Sequence, residues 1–305
     1  MVWLKAADEV TLRAAFWRAG GEERDAARGT VLLATGRSEF IEKYYPVIAR
    51  FASLGFHVAA FDWRGQGLSD RLIEDRLPGY IDSFESYQRD LDTMLAEIDR
   101  RGRGGKTVLV GHSMGGCALI RRLVQPERDV HAAILTAPML GLRFPTLAVP
   151  ALRAVSWSLS HWQVGKWRIS PRKVTTAADW PFENNVLTGN REEFKRYASL
   201  VRDHPVLALG GVTWAWLAAA FREMRFLRAL PPDSVIGPTL LFSAAADRLV
   251  SNDAIEELLA KNPRIEHVRL EDSRHEPFVE IEPVRAVLWA EIGRFLDRVA
   301  PEAGA

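Results

Sequence analysis

Cysteine is almost absent: the 305-residue chain has one, Cys117. No intrachain disulfide can form, so a packed core must hold the fold, and a reducing compartment is the natural setting. Charge imbalance is also missing. Forty Lys and Arg face 39 Asp and Glu, a formal net charge of +1, which argues against nucleic acid as the main partner. Long apolar runs are lacking too. The longest, Val206 to Phe221, holds two glycines and a threonine and is too short for a bilayer span. The N-terminus is charged by Lys5 and Asp8, too early for a secretory signal, so a cytoplasmic location is expected. There are no internal repeats, no low-complexity tracts and no metal-ligand spacing, and no cofactor or metal is expected. What remains is a chain that is 48% hydrophobic, ample for one core plus a smaller insertion.

The hydrophobic pattern alternates in period. Residues 9–19 read as an edge strand with a hairpin partner at 28–35. Helical spacing follows at 40–53, then a short buried strand, His57 to Asp62. Phe84, Tyr87, Leu91, Met94, Leu95 and Ile98 share one helical face within 83–100. Further strands are predicted at Lys106–Gly111 and His131–Ala137, and strand–helix alternation resumes at 238–299. Such alternation predicts a mostly parallel sheet covered by helices on both faces.

Gly111-His-Ser-Met-Gly-Gly116 directly follows the apolar run Val108-Leu-Val110. A strand that feeds Gly-x-Ser-x-Gly and then a helix forms a nucleophile elbow, which lifts the Ser113 hydroxyl clear of the sheet. The turn packs backbone on backbone, so Gly111 and Gly115 leave no room for Cβ atoms. A serine nucleophile needs a base, and the base needs an orienting carboxylate. In this architecture they follow in the order Ser, Asp or Glu, His. Asp247 lies just beyond the apolar strand Pro238–Ser243, and His275 lies in the loop after the alternating strand Ile265–Leu270. Asp62 also ends a strand but precedes the serine. His267 falls inside a strand, His57 and His131 begin strands, His161 and His204 fall in the insertion, and His112 reads as packing. Two backbone N–H groups are the oxyanion donors expected: Met114, after the nucleophile, and Arg37, after the strand Val31–Thr35. Each such donor is worth about 3 kcal/mol in the transition state. The Arg37 side chain is read either as reaching toward an anionic substrate group or as a solvated loop arginine.

Residues 141–237 interrupt the alternation. The core is therefore assigned to 1–140 and 238–305, and 141–237 to an inserted helical cap over the active-site edge. Six of the ten tryptophans lie in the insertion. Trp157, Trp162, Trp214 and Trp216 are candidate lining for an apolar substrate pocket; the alternative is that they form the cap's own small core. The insertion carries 13 Lys and Arg against 7 Asp and Glu, a net of +6. Between Asp129 and Asp179 there is no acid, only Arg143, Arg153, Lys166, Arg168, Arg172 and Lys173. Basic residues among Trp and Leu fit a membrane-surface element; an ordinary solvated face reads the same way.

The elbow, the loop Asp62-Trp-Arg-Gly-Gln-Gly-Leu-Ser69, Asp247 and Ser273-Arg-His275-Glu together resemble α/β-hydrolases of the lysophospholipase and monoacylglycerol lipase group. Gly36-Arg-Ser-Glu-Phe-Ile-Glu-Lys-Tyr44 is similar to the bacterial lysophospholipase L2 branch. The resemblance covers nearly the whole core and is weaker in the insertion. It implies the α/β-hydrolase fold, a Ser113–Asp247–His275 triad, oxyanion donors at Met114 and Arg37, no cofactor and a lipid ester as substrate. One departure is visible: many relatives carry His-Gly before the oxyanion residue, where this chain has Thr35-Gly36.

The expected activity is hydrolysis of carboxylic esters of single-chain lipids through an acyl-enzyme. Small-ester carboxylesterase, thioesterase and aminopeptidase activities of the same fold are the enzymatic alternatives, and a membrane-surface binding protein is the non-enzymatic one. Contact with the inner membrane face through the cap is the accompanying expectation. Head group, acyl length and oligomeric state are not written in these motifs.

Overall fold

Residues 1–20, 27–102, 106–125, 130–169, 176 and 179–301 are described by a computed structural model. Eight strands form one sheet: β1 (Val2–Lys5), β2 (Thr11–Trp17), β3 (Gly29–Ala34), β4 (Phe56–Phe61), β5 (Thr107–His112), β6 (Ala132–Thr136), β7 (Thr239–Ala244) and β8 (Glu266–Leu270). Their order is β1-β2-β4-β3-β5-β6-β7-β8. The first two strands pair antiparallel, β2 joins β4 antiparallel, and all later pairs are parallel.

The expected hairpin between the first alternating segment and residues 28–35 does not form. Strand β2 pairs instead with β1 on one side and β4 on the other, and β3 sits between β4 and β5. Local alternation marks a strand but does not name its neighbour.

Period-2 geometry sorts the apolar strand residues into two layers. Leu32, Leu109, Leu135 and Leu241 face one side, where they meet helices α2 (Glu85–Arg100) and α3 (Met114–Leu123). Val31, Val108, Ile134 and Phe242 face the other, against α1 (Tyr45–Ser53) and the C-terminal helix of residues 282–299. Strands β5, β6 and β7 are buried along their whole length, as parallel strands between two helical layers must be. Each buried Leu or Val contributes about 1.5–3 kcal/mol of transfer free energy. Cys117 lies fully buried in α3, within the first layer.

Between β6 and β7 the described residues form helices α4 (Val149–Ser160), α5 (Arg191–Asp203) and α6 (Trp214–Arg228), with short 3-10 turns and no strand. The Asn190 side chain caps α5 by accepting from the Glu192 and Glu193 N–H groups. Thr213 caps α6 in the same way. Helix α6 buries Trp216, Ala220, Met224 and Leu227 in the first core layer. Helix α5 packs Tyr197 and Val201 against Phe40. Helices α7 (Asn252–Lys261) and α8 (Glu282–Val299) complete the chain.

Candidate active site

The parallel strands all point their carboxyl ends at one edge of the sheet, the edge where such sheets hold ligands. Strand β5 ends there at His112, and Ser113 follows with φ 50° and ψ −113°. A non-glycine residue in this region is strained by roughly 1–3 kcal/mol. The surroundings hold it there: the Ser113 N–H donates to Thr136 O, and its carbonyl accepts from Cys117 and Met139. A Cβ on Gly115 would stand 2.1 Å from the Ala34 carbonyl oxygen, so only glycine lets the elbow approach β3 this closely.

Strand β7 delivers Asp247 and β8 delivers His275 to the same edge. His275 Nδ1 lies 2.7 Å from Asp247 Oδ2, and its Nε2 lies 3.0 Å from Ser113 Oγ. All three are buried. A carboxylate only accepts, so Nδ1 carries the proton and Nε2 is free to accept from the serine. The second Asp247 oxygen accepts the N–H groups of Leu249 and Val250 at 2.7 and 3.0 Å, which fixes the carboxylate plane. Burial by itself would lower the His275 pKa. The hydrogen bond and charge of Asp247, helped by Glu276 and Glu39, outweigh it and leave the net pKa above the ordinary 6.5. Burial pulls the Asp247 carboxyl the other way, but the bonds from His275 and the two N–H groups hold it below its ordinary value.

The two expected backbone donors are Met114, which opens α3, and Arg37, in the loop after β3. Neither N–H donates to an acceptor among the described residues. The two successive peptides leading into Arg37 are each held. Gln66 Nε2 donates to the Gly36 carbonyl at 2.9 Å, and the Gly36 N–H donates to the Glu39 carboxylate. In a trans peptide the C=O and the following N–H point opposite ways, so Gln66 sets the direction of the Arg37 N–H. Trp63 Nε1 donates to Thr35 O at 2.8 Å and steadies the same loop.

The Arg37 side chain is half-buried and partly engaged by the protein itself. Its guanidinium donates to Gly210 O in the insertion and to Ser38 Oγ, and lies 5.4 Å from the Trp216 ring. Burial without a facing carboxylate depresses its pKa to about 10. It ties the insertion to the loop after β3.

The four tryptophans singled out are not brought together. Trp157 and Trp162 are 60% and 72% exposed, Trp214 is half-buried, and Trp216 is core, edge-on to Phe84. A groove of about 410 Å³ does open between the insertion and α7, and Leu142, Val149, Phe221, Met224 and Leu258 line it. Of the basic residues, Arg143 donates to Asp247 O at 2.7 Å. Arg153 and Lys166 are exposed and Arg168 half-buried, while Arg172 and Lys173 lie outside the described residues. His112 is packing: its Nδ1 is 3.1 Å from Thr136 O, and burial lowers its pKa to about 4, so it is neutral. Asp62 is structural too, fully buried, and it accepts from Arg13 and from the Ile41 and Leu68 N–H groups.

Glu39, Lys43 and Glu276 were not singled out in the sequence. They form a buried ionic group directly behind His275. Glu39, His112 and Glu276 could hold a metal by proximity alone, within 4.8 Å of one another. The Lys43 ammonium already fills that place, 2.7 Å from Glu39 and 2.6 Å from Glu276.

Parallel strands between helical layers, with a serine on a strained elbow and a histidine–carboxylate pair at the same edge, define a serine hydrolase of the α/β-hydrolase fold. The family described as serine aminopeptidase, S33, matches residues 25–282, and the chain belongs to it. Lysophospholipase L2 of Escherichia coli strain K12 is 29% identical over 95% of this chain and 85% of its own. Human monoglyceride lipase is 25% identical over 98% and 90%. A soluble variant of monoglyceride lipase from Saccharomyces cerevisiae, solved with a substrate analogue, superposes with a TM-score of 0.72 at 17% identity, covering 98% of this chain and 97% of that one.

Proposed function

We propose that this protein hydrolyses the carboxylic ester of a single-chain lipid, a lysophospholipid or a monoacylglycerol. The observation that carries the reaction is the relay from Asp247 through His275 to Ser113, with bonds of 2.7 and 3.0 Å. The lipid class is supported by the named relatives that align along nearly the whole chain.

In the acylation step His275 Nε2 takes the Ser113 proton as Oγ bonds to the ester carbonyl carbon. The oxyanion accepts from the Met114 and Arg37 N–H groups. Asp247 keeps the proton on Nδ1 and stabilises the imidazolium. His275 then gives its proton to the alkoxide, the C–O bond breaks, and the alcohol leaves an acyl-serine. Water repeats the sequence: His275 takes its proton, hydroxide adds, and Ser113 departs reprotonated with release of the fatty acid.

Residues 141–237 act as a cap over this edge, on a core made of 1–140 and 238–305. The outer surface of the cap supports action at a lipid interface. Leu147 is 95% exposed and Trp167 65%. They join the exposed Trp157 and Trp162 among Arg153, Lys166 and Arg168, a pairing of apolar and cationic groups suited to an anionic membrane surface. Among the described residues no helix is long and apolar enough to cross a membrane, so contact would be peripheral.

The test is fatty-acid release from a lysophospholipid and a monoacylglycerol of equal acyl chain, beside an aminoacyl anilide, with Ser113→Ala as blank. Serine-dependent release from either lipid supports the reading. Turnover of the anilide alone would replace it with peptidase activity, the alternative that the family description raises.

A further inference from the structure

The ionic group behind His275 joins two loops that the reaction needs in fixed register. One is the oxyanion loop. Glu39 accepts the Gly36 N–H, the Tyr44 hydroxyl at 2.6 Å and the Lys43 ammonium at 2.7 Å. The other is the histidine loop. Glu276, next in sequence to His275, accepts the same ammonium at 2.6 Å. Lys43, Glu39 and Glu276 are all buried. No main-chain or side-chain bond joins Gly36 or Arg37 to residues 273–276 among the described residues. The ammonium is therefore the bridge between the two loops.

We infer that Lys43 is a positioning residue, whose bonds to Glu39 and Glu276 set the oxyanion donor of Arg37 at its working distance from His275 and Ser113. The inference rests on the ester-hydrolase reading above.

The charge balance makes the tie strong. Two buried carboxylates close together cannot both remain ionised without a cation between them. With Lys43 in place Glu39 is held below the ordinary carboxylate value, while burial keeps Glu276 above its own; burial opposes the charged form of Lys43, but the two carboxylates outweigh it and raise its pKa. Lys43 and Glu39 lie four residues apart, so one turn of chain presents both. Glu276 supplies the far end, 233 residues on.

The same group sets the potential at His275. The imidazole is faced by Asp247 from the loop after β7, by His112 from the end of β5, by Glu39 and Lys43 from the segment before α1, and by its neighbour Glu276. Removing the Glu276 carboxylate makes that potential more positive, whereas loss of Lys43 is compensated by a proton on one of the two carboxylates. The Glu276 change must move the acid limb of activity to lower pH.

The experiment compares Lys43→Met, Glu276→Met and Glu276→Gln on a water-soluble short-chain ester, with thermal melts as a check on folding. Glu276→Met leaves the Lys43–Glu39 pair balanced, so it keeps the test alive where Lys43→Met does not fold. Expected for Glu276→Met is a kcat lowered about tenfold or more with KM little changed, since misplacing a catalytic group by about 1 Å costs up to ~100-fold. Glu276→Gln keeps an oxygen that accepts from Lys43, so most of kcat returns. The acid limb moves to lower pH in both Glu276 variants. Full kcat in a folded Glu276→Met, or an acid limb that does not move in either Glu276 variant, would overturn the inference. Survival of activity in Ser113→Ala would instead overturn the ester-hydrolase reading, so the two failures are distinct.

Discussion

His275 Nε2 stands 3.0 Å from Ser113 Oγ although 162 residues separate them in the chain. The contact exists because β5 and β8 run parallel and end at the same edge. It makes Ser113→Ala the cleanest single test. Turnover should fall by roughly 10⁴-fold or more while the melting temperature holds, because the change removes one oxygen and leaves the elbow backbone intact.

The strain at Ser113 gives a second test at the same position. Glycine adopts φ near 50° without the Cβ penalty that serine and alanine carry. Ser113→Gly should therefore be more stable than Ser113→Ala by about 1 kcal/mol, read as a higher urea midpoint at equal slope. Equal midpoints would mean that the elbow stores no strain.

The pH profile follows from His275. The base must be neutral to accept a proton, and its pKa lies above 6.5. The acid limb of kcat/KM should accordingly fall above pH 6.5. A folded-state pKa raised in this way adds stability below the unfolded value, and that stability is lost as pH rises through the folded value. Asp247→Asn removes the largest favourable contribution to the imidazolium. The limb should move to lower pH, and turnover should drop by about 10⁴-fold.

Gly115→Ala should be costly for a steric reason. Its Cβ would lie 2.1 Å from Ala34 O and 2.6 Å from Thr35 O, both backbone atoms. Destabilisation of about 3 kcal/mol is expected, measured by denaturant unfolding. Because Ala34 and Thr35 lead into the loop proposed to carry the Arg37 oxyanion donor, activity should fall even where the fold persists.

The exposed aromatics of the insertion predict a split between substrates. Trp157→Ala with Trp162→Ala should weaken sedimentation with anionic vesicles and lower release from aggregated lipid. Hydrolysis of a soluble short ester should be unchanged, since both rings lie on the outer surface. Equal loss on both substrates would place these rings in the pocket after all.

Much of this site is legible in the sequence because the chemistry is tied to strand ends. Ser113, Asp247 and His275 each follow an apolar strand by a few residues, and parallel pairing brings such ends together. Strand partners were less legible, since alternation at residues 9–19 is the same whichever neighbour is chosen. Lys43 and Glu39 escaped notice because an i, i+4 pair of opposite charges usually marks a solvated helix face. Only the fold shows that this pair faces inward to Glu276. The tryptophans erred in the opposite sense: large aromatics suggest burial, yet helix α4 turns Trp157 outward, and only Trp216 enters the core.

The lone cysteine has a practical consequence. Cys117 is fully buried behind the elbow, and burial pushes its thiol well above the ordinary range. A thiol in that state does not react with alkylating reagents until the first helical layer separates from the sheet. The rate at which it becomes labelled therefore counts opening events at one known position, with no second thiol to confuse the signal. The protein carries its own built-in reporter of how often the elbow comes apart.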